Sequence, residues 1–194
     1  LGVALGHQTR SKDARVLLAP TVNLHRSPLF GRAFECYSED PLLSGKLGAS
    51  FIRGAQSQGI ATTVKHFVGN DAEFERMTIN SVIDQRTLRE VYLLPFELAV
   101  REGGSLGIMT SYNRMNGVYC AENRELLQDI LRDEWGFEGF VVTDWFAGFT
   151  TEGAAHAGLD LEMPAPPRGY GKFLAEAVKE GRVDEADLNR AVRT

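Results

Sequence analysis

The residues best suited to chemistry sit at the ends of short apolar runs. Asp144 follows Phe140-Val141-Val142-Thr143 directly, which presents a carboxylate at a strand tip. Trp145 behind it offers an apolar wall or a platform for a sugar ring. Lys65-His66 closes the run that starts at Ile60. A lysine at the end of a buried strand is costly unless a carboxylate or a ligand's hydroxyl groups face it. Met109-Thr110-Ser111-Tyr112-Asn113 supplies a phenol able to hydrogen-bond a nucleophile. Arg32 brings a planar fork that suits a sugar hydroxyl or a carboxylate. Each also has a plainer structural use. Asp144 can cap a helix or join a rim ion pair. Lys65 can be ion-paired and His66 internally satisfied, Arg32 can pair with Glu35 to order its loop, and Met109 can be core.

Five apolar runs must position these groups: Val16 to Ala19, Ile60 to Val64, Leu106 to Met109, Phe140 to Thr143 and Leu159 to Leu161. The first four are continuous rather than alternating, as in strands buried on both faces of a parallel sheet. Helical patterns lie between them. One starts at the Asp40 cap with Pro41 in its first turn and runs to about Gln58. A second spans Asp84 to Glu102 and should kink at Pro95. A third covers Asn123 to Trp135, with Gly136 as its stop. Gly171 to Glu180 and a segment from Asp184 follow, after a short link and the last strand. Alternation of this kind builds parallel β/α units. A doubly wound sheet and a barrel both fit the order. The polar strand ends favour the barrel: Asn23, Lys65-His66, Ser111-Tyr112-Asn113, Asp144 and Glu162 come from nearly every strand. That is the active face of a (β/α)8 barrel, whereas a doubly wound sheet gathers its ligand at one switch point. No G-x-G-x-x-G and no G-x-x-x-x-G-K-[ST] is present. A full barrel needs eight strands and about 250 residues. The expected fold is therefore α/β, an incomplete TIM-barrel-like (β/α)8 domain holding about the last five units, with the earlier strands upstream.

Composition removes several function classes. With 21 Lys+Arg against 26 Asp+Glu, the net charge of −5 leaves no basic footprint for nucleic acid. No apolar run approaches the roughly 20 residues of a membrane span. His7, His25, His66 and His156 are scattered without metal-ligand spacing, so neither a metal nor another cofactor is expected. No G-x-S-x-G elbow appears. Cys36 and Cys120 read as two small, at least half-buried thiols. The opening Leu1-Gly2-Val3-Ala4 lacks an initiator Met and a basic leader region, and reads as a piece of a longer protein.

Four strings, in this order, resemble the N-terminal barrel domain of family 3 glycoside hydrolases, in the β-glucosidase branch. They are Gly31-Arg32-Ala33-Phe34-Glu35 with Ser38-Glu39-Asp40-Pro41, then Val64-Lys65-His66-Phe67, then Met109 to Gly117, then Gly139 to Trp145. The resemblance implies that Asp144 is the catalytic nucleophile. It implies that Arg32, Lys65 and His66 hold the glycone hydroxyls, and that Tyr112 stands beside the nucleophile. Met109 would line the same pocket, and Trp145 would border the aglycone side. It further implies a general acid/base glutamate in a following domain, against which this domain docks, and a sugar-gripping aspartate upstream of Leu1. The implied substrate is a β-glucoside or oligosaccharide. A β-xylosidase, a broad exo-β-glycosidase, or a carbohydrate-binding domain that kept the pocket without catalysis are the alternatives. The loop Gly69 to Arg76 lacks the Asp-x-His of the amino-sugar branch.

Overall fold

The computed structural model describes residues 1–194. In chain order its elements are α1 (Gly2–Ser11), β1 (Val16–Leu17), α2 (Pro41–Gln56), β2 (Ala61–Phe67), β3 (Asn80–Ser81), α3 (Gln85–Thr87), α4 (Leu94–Arg101), β4 (Gly107–Thr110), β5 (Arg114–Met115), β6 (Val118–Tyr119), β7 (Phe140–Thr143), α5 (Thr151–Ala157), α6 (Lys172–Lys179) and α7 (Glu185–Arg193). Two wider, π-helical stretches, Leu88–Tyr92 and Glu125–Glu134, complete the helical layer.

One sheet runs β1-β2-β4-β7, and every pairing in it is parallel. Beyond β7, Leu161 bridges Val142 in parallel and marks a fifth strand position. Each crossover adds its strand on the same side, with no reversal of order. A doubly wound sheet would reverse at its switch point; a barrel wall does not. The sheet also curls. A cavity of about 500 Å³ is lined by Val16 and Leu18 from one edge and by Phe140, Val142, Leu161 and Met163 from the other. Strands that are not neighbours thus face each other across the concave side, the curvature of a barrel wall. The fold is a partial (β/α)8 barrel. On the outer side Val64, Ile108 and Val141 pack with Ile52, Phe96, Leu127 and Leu131 of the helices. On the inner side space is tight at Gly107, where a Cβ would come 2.5 Å from the Phe140 ring and 2.7 Å from Thr63 Oγ1.

Most helices begin and end as the sequence predicts. Asp40 Oδ1 accepts from the backbone N–H groups of Leu42 and Leu43 at 2.8 and 3.3 Å and starts α2. Gly136, at φ +72°, ends the Glu125–Glu134 stretch. The span Asp84 to Glu102, expected as one helix, is divided. Pro95 has no N–H for the Val91 carbonyl, and the chain widens just before it, with Leu93 N–H bonded to Leu88 O at 2.8 Å. The expected short link after Asp144 contains helix α5, capped by Thr150 Oγ1 on Gly153 N–H at 3.2 Å. The last expected strand shrinks to the Leu161 bridge. Helix α1 was not expected. It forms against α2, where its small residues permit close approach: a Cβ at Gly2 would collide with the Phe51 carbonyl. The β3-β5-β6 sheet was also not expected, because two-residue strands carry no readable period.

A buried ion cluster ties the last helix to the sheet. Asp160 Oδ2 accepts from Arg132 at 2.6 Å and from Val141 N–H at 2.7 Å, while Oδ1 accepts from Arg190 at 2.7 Å. Cys36 is half-buried and Cys120 buried, both as free thiols.

Candidate active site

Strand β2 is irregular at two of the candidate residues. Its register runs Thr63↔Gly107 and Val64↔Ile108, then Phe67↔Thr110. Three residue steps on β2 therefore face two on β4, a bulge at Lys65-His66. In a regular strand these neighbours would point to opposite faces. With the bulge, both serve the same end of the sheet. His66 Nε2 lies 3.4 Å from Asp144 Oδ2. Lys65 lines a cleft with Glu35 and Thr21.

Asp144 ends β7 and is 7% exposed. Its two oxygens are inequivalent. Oδ1 accepts from the Tyr112 hydroxyl at 3.0 Å and from Trp145 N–H at 2.7 Å. Oδ2 receives no hydrogen bond. Tyr112 reaches Asp144 from the end of β4, and the Arg76 guanidinium lies 4.6 Å above its ring. Burial, then the Asp144 charge, push the Tyr112 phenol up to about 12, so it remains a donor through the neutral range.

Arg32 begins a 3₁₀ turn, Ala33–Glu35, and grips Glu35 in a bidentate pair at 2.5 and 3.0 Å. Thr21 Oγ1 donates to the same carboxylate at 2.9 Å. Burial works against the Arg32 charge, but the Glu35 bond and charge outweigh it and raise the guanidinium's pKa. Burial likewise opposes the Glu35 charge; Arg32 and Thr21 outweigh it and hold that carboxyl below its usual range. The loop-ordering pair expected for Arg32 is therefore present. The backbone of Lys65 bonds to Pro20 O and Val22 N–H, but its ammonium makes no hydrogen bond or ion pair within the protein, and burial lowers its pKa, with Glu35 the chief counterweight. His66 is 1% exposed. Burial first, then the charges of Arg32, Lys65 and Arg76, hold its pKa well below the ordinary value and keep it neutral.

Of the residues singled out from sequence, His66 and Tyr112 touch Asp144, and Arg32 and Lys65 lie near enough for its charge to act on theirs. Met109 sits on the inner face of β4, paired in register with Val142 and buried. The half-buried Trp145 lines the apolar cavity beside Val142, Leu161 and Met163. Two other polar strand ends serve the scaffold. Asn113 Nδ2 donates to the carbonyls of Val68 and Arg114, both at 3.1 Å. Glu162 accepts from Arg168 and Tyr170 N–H groups, both at 2.7 Å. Sequence reasoning missed the Glu73–Arg76 pair, 2.5 Å apart, which carries the arginine over Tyr112. Its i,i+3 spacing was visible in the Gly69 to Arg76 loop.

The glycosyl hydrolase family 3 N-terminal domain model matches residues 1–194. A β-glucosidase of Rhizobium radiobacter is 55% identical over 192 residues, which take in 99% of this chain and 24% of that protein. A probable β-glucosidase J of Aspergillus fumigatus is 49% identical over 193 residues, 100% of this chain and 22% of that one. The structure of β-glucosidase 3B from Thermotoga neapolitana in complex with α-D-glucose superposes with a TM-score of 0.95 at 45% identity, covering 99% of this chain and 28% of that one. The β-glucosidase from Kluyveromyces marxianus in complex with glucose gives 0.95 at 44% identity, with 99% and 23% covered. The chain spans about a quarter of the length of these relatives. It belongs to glycosyl hydrolase family 3 and is a stretch of that family's N-terminal domain.

Proposed function

We propose that the protein containing these residues is a retaining, exo-acting β-glucosidase that removes terminal non-reducing β-D-glucosyl residues, with Asp144 as nucleophile. The carrying observation is the asymmetry of Asp144. Oδ1 is held by Tyr112 and Trp145 N–H, while Oδ2 is unbonded in a cluster of Arg32, Lys65 and His66. Similarity to β-glucosidases solved with glucose supports the choice of sugar.

Oδ2 attacks the anomeric carbon, the glycosidic C–O bond breaks, and a glycosyl ester forms on Asp144. Arg32, Lys65 and His66 hold the sugar's hydroxyls in register with that oxygen. The leaving oxygen needs a proton from an acid. Glu35 and Glu73 are each bonded to an arginine, and Glu35 is held ionised. Neither suits the acid. As the family resemblance implies, we place the general acid/base on a glutamate of a following domain docked against this barrel. It protonates the leaving group, then deprotonates the water that releases β-glucose. The 194-residue chain alone is expected to be inactive or nearly so, since it lacks both that acid/base and the sugar-gripping aspartate the resemblance implies; loss of general acid–base catalysis alone costs about 10²- to 10⁴-fold.

Proton NMR of the first product from an aryl β-glucoside, hydrolysed by the full-length enzyme, tests the stereochemistry. β-Glucose appears first under this proposal. α-Glucose appearing first would overturn it.

Glu35→Gln releases one side of the Arg32 clamp. KM for the glucoside should rise about tenfold, the scale of one charge-assisted hydrogen bond, with kcat changed less. Because the Glu35 pKa is depressed, the clamp is complete above the ordinary glutamate range. It is lost only as pH falls through the depressed value. An unchanged KM in the variant would show that Arg32 does not hold substrate.

A further inference from the structure

Asn23 lies just beyond β1 on the far side of His66 and is 2% exposed. Its carboxamide makes two bonds to the backbone of that one residue. Oδ1 accepts from His66 N–H at 2.8 Å, and Nδ2 donates to the His66 carbonyl at 3.1 Å. A backbone N–H only donates and a carbonyl only accepts, so the amide has one possible orientation. The atom facing His66 Nδ1, at 3.1 Å, is therefore Oδ1, an acceptor. Nδ1 must carry the proton.

The charged groups around the ring then decide the other nitrogen. Arg32 from the loop after β1, Lys65 beside it on β2 and Arg76 from the following loop oppose a second proton; Asp144 on β7 is the one anion facing it. A neutral ring with its proton on Nδ1 leaves Nε2 bare. Nε2 meets Asp144 Oδ2 at 3.4 Å, lone pair against lone pair, and Oδ2 accordingly receives no hydrogen bond.

We propose that Asn23 is a positioning residue: it fixes His66 as the Nδ1–H tautomer, so that Nε2 accepts a hydrogen bond from a substrate hydroxyl and Asp144 Oδ2 keeps its lone pairs for the anomeric carbon. The hydroxyl's identity as a sugar group rests on the glycosidase proposal above; the tautomer is a property of the free enzyme.

The test is nitrogen-15 NMR of full-length enzyme labelled at histidine, at neutral pH without substrate, with the His66 ring assigned by its loss in His66→Gln. A protonated-type shift at Nδ1 and a bare-type shift at Nε2 are expected. A proton on Nε2, alone or on both nitrogens, would overturn the proposal. Asn23→Asp supplies a second readout. The carboxylate should favour the imidazolium, whose new Nε2–H then donates to Asp144. The acid limb of kcat/KM should move up by about one pH unit or more. A loss of equal size at every pH would mean that Asn23 is only structural. Should the enzyme hydrolyse no glycoside yet show Nδ1–H, the glycosidase proposal fails and the tautomer stands. Trapping on Asp144 with a proton at Nε2 would give the opposite result.

Discussion

Asp144→Asn in the full-length enzyme is expected to lower kcat for an aryl β-glucoside by about 10⁴-fold or more, or at least about 5.4 kcal/mol of barrier. The carboxamide oxygen still accepts from Tyr112 and Trp145 N–H, the two bonds that hold this side chain. The amide nitrogen replaces Oδ2 and meets His66 Nε2, so the site loses the proposed nucleophilic oxygen without a new unpaired group. Glucose affinity should stay within about fivefold, under 1 kcal/mol. Steady-state kinetics and a glucose titration read the two numbers separately. A variant that kept more than about a tenth of the wild-type rate would remove Asp144 from the chemistry.

Asp160→Ala should be the most damaging single change to the scaffold. It leaves Arg132 and Arg190 facing each other where their common anion stood, with Arg132 side-chain exposure at 11%. Removing one partner from a buried charge cluster costs about 3–5 kcal/mol, because the remaining charges stay desolvated. The Val141 N–H also loses its acceptor, on the strand that ends in Asp144. For a domain of this size the unfolding midpoint should fall by on the order of 10 °C. Calorimetry of the full-length protein, following the transition that contains this domain, checks it. A shift under about 2 °C would show that the cluster is dispensable. Asp160→Asn, which keeps an acceptor for Val141, should lie between the two.

The sheet was legible because its strands are continuous apolar runs, and its topology because polar residues end nearly all of them. The Lys65-His66 pair was the decisive local feature. Two polar neighbours at one buried strand end serve a single site only through a bulge, and the register shift supplies it. The Arg32–Glu35 pair was visible as spacing, and the structure forms it. Helix α1 was not legible because its stability lies in contact with α2 rather than in its own pattern. The split at Pro95 was legible as a kink but not as a π-turn, since widening and bending answer the same missing N–H. Asn23 was noticed as a polar strand end, but its use depends on a residue 43 positions away in the chain. No local pattern encodes that contact.

The proposed nucleophile is open to direct trapping. The full-length enzyme is incubated with a 2-deoxy-2-fluoro-β-glucoside carrying a good leaving group, then digested for peptide mass analysis. The fluorine slows both steps and the leaving group restores the first, so the glycosyl ester accumulates. One fluoroglucosyl adduct, on Asp144 in the peptide that follows Phe140-Val141-Val142-Thr143, is the expected result, and Asp144→Asn should give none. An adduct on another carboxylate, or none on enzyme that turns over β-glucosides, would contradict the assignment of Asp144 as the nucleophile.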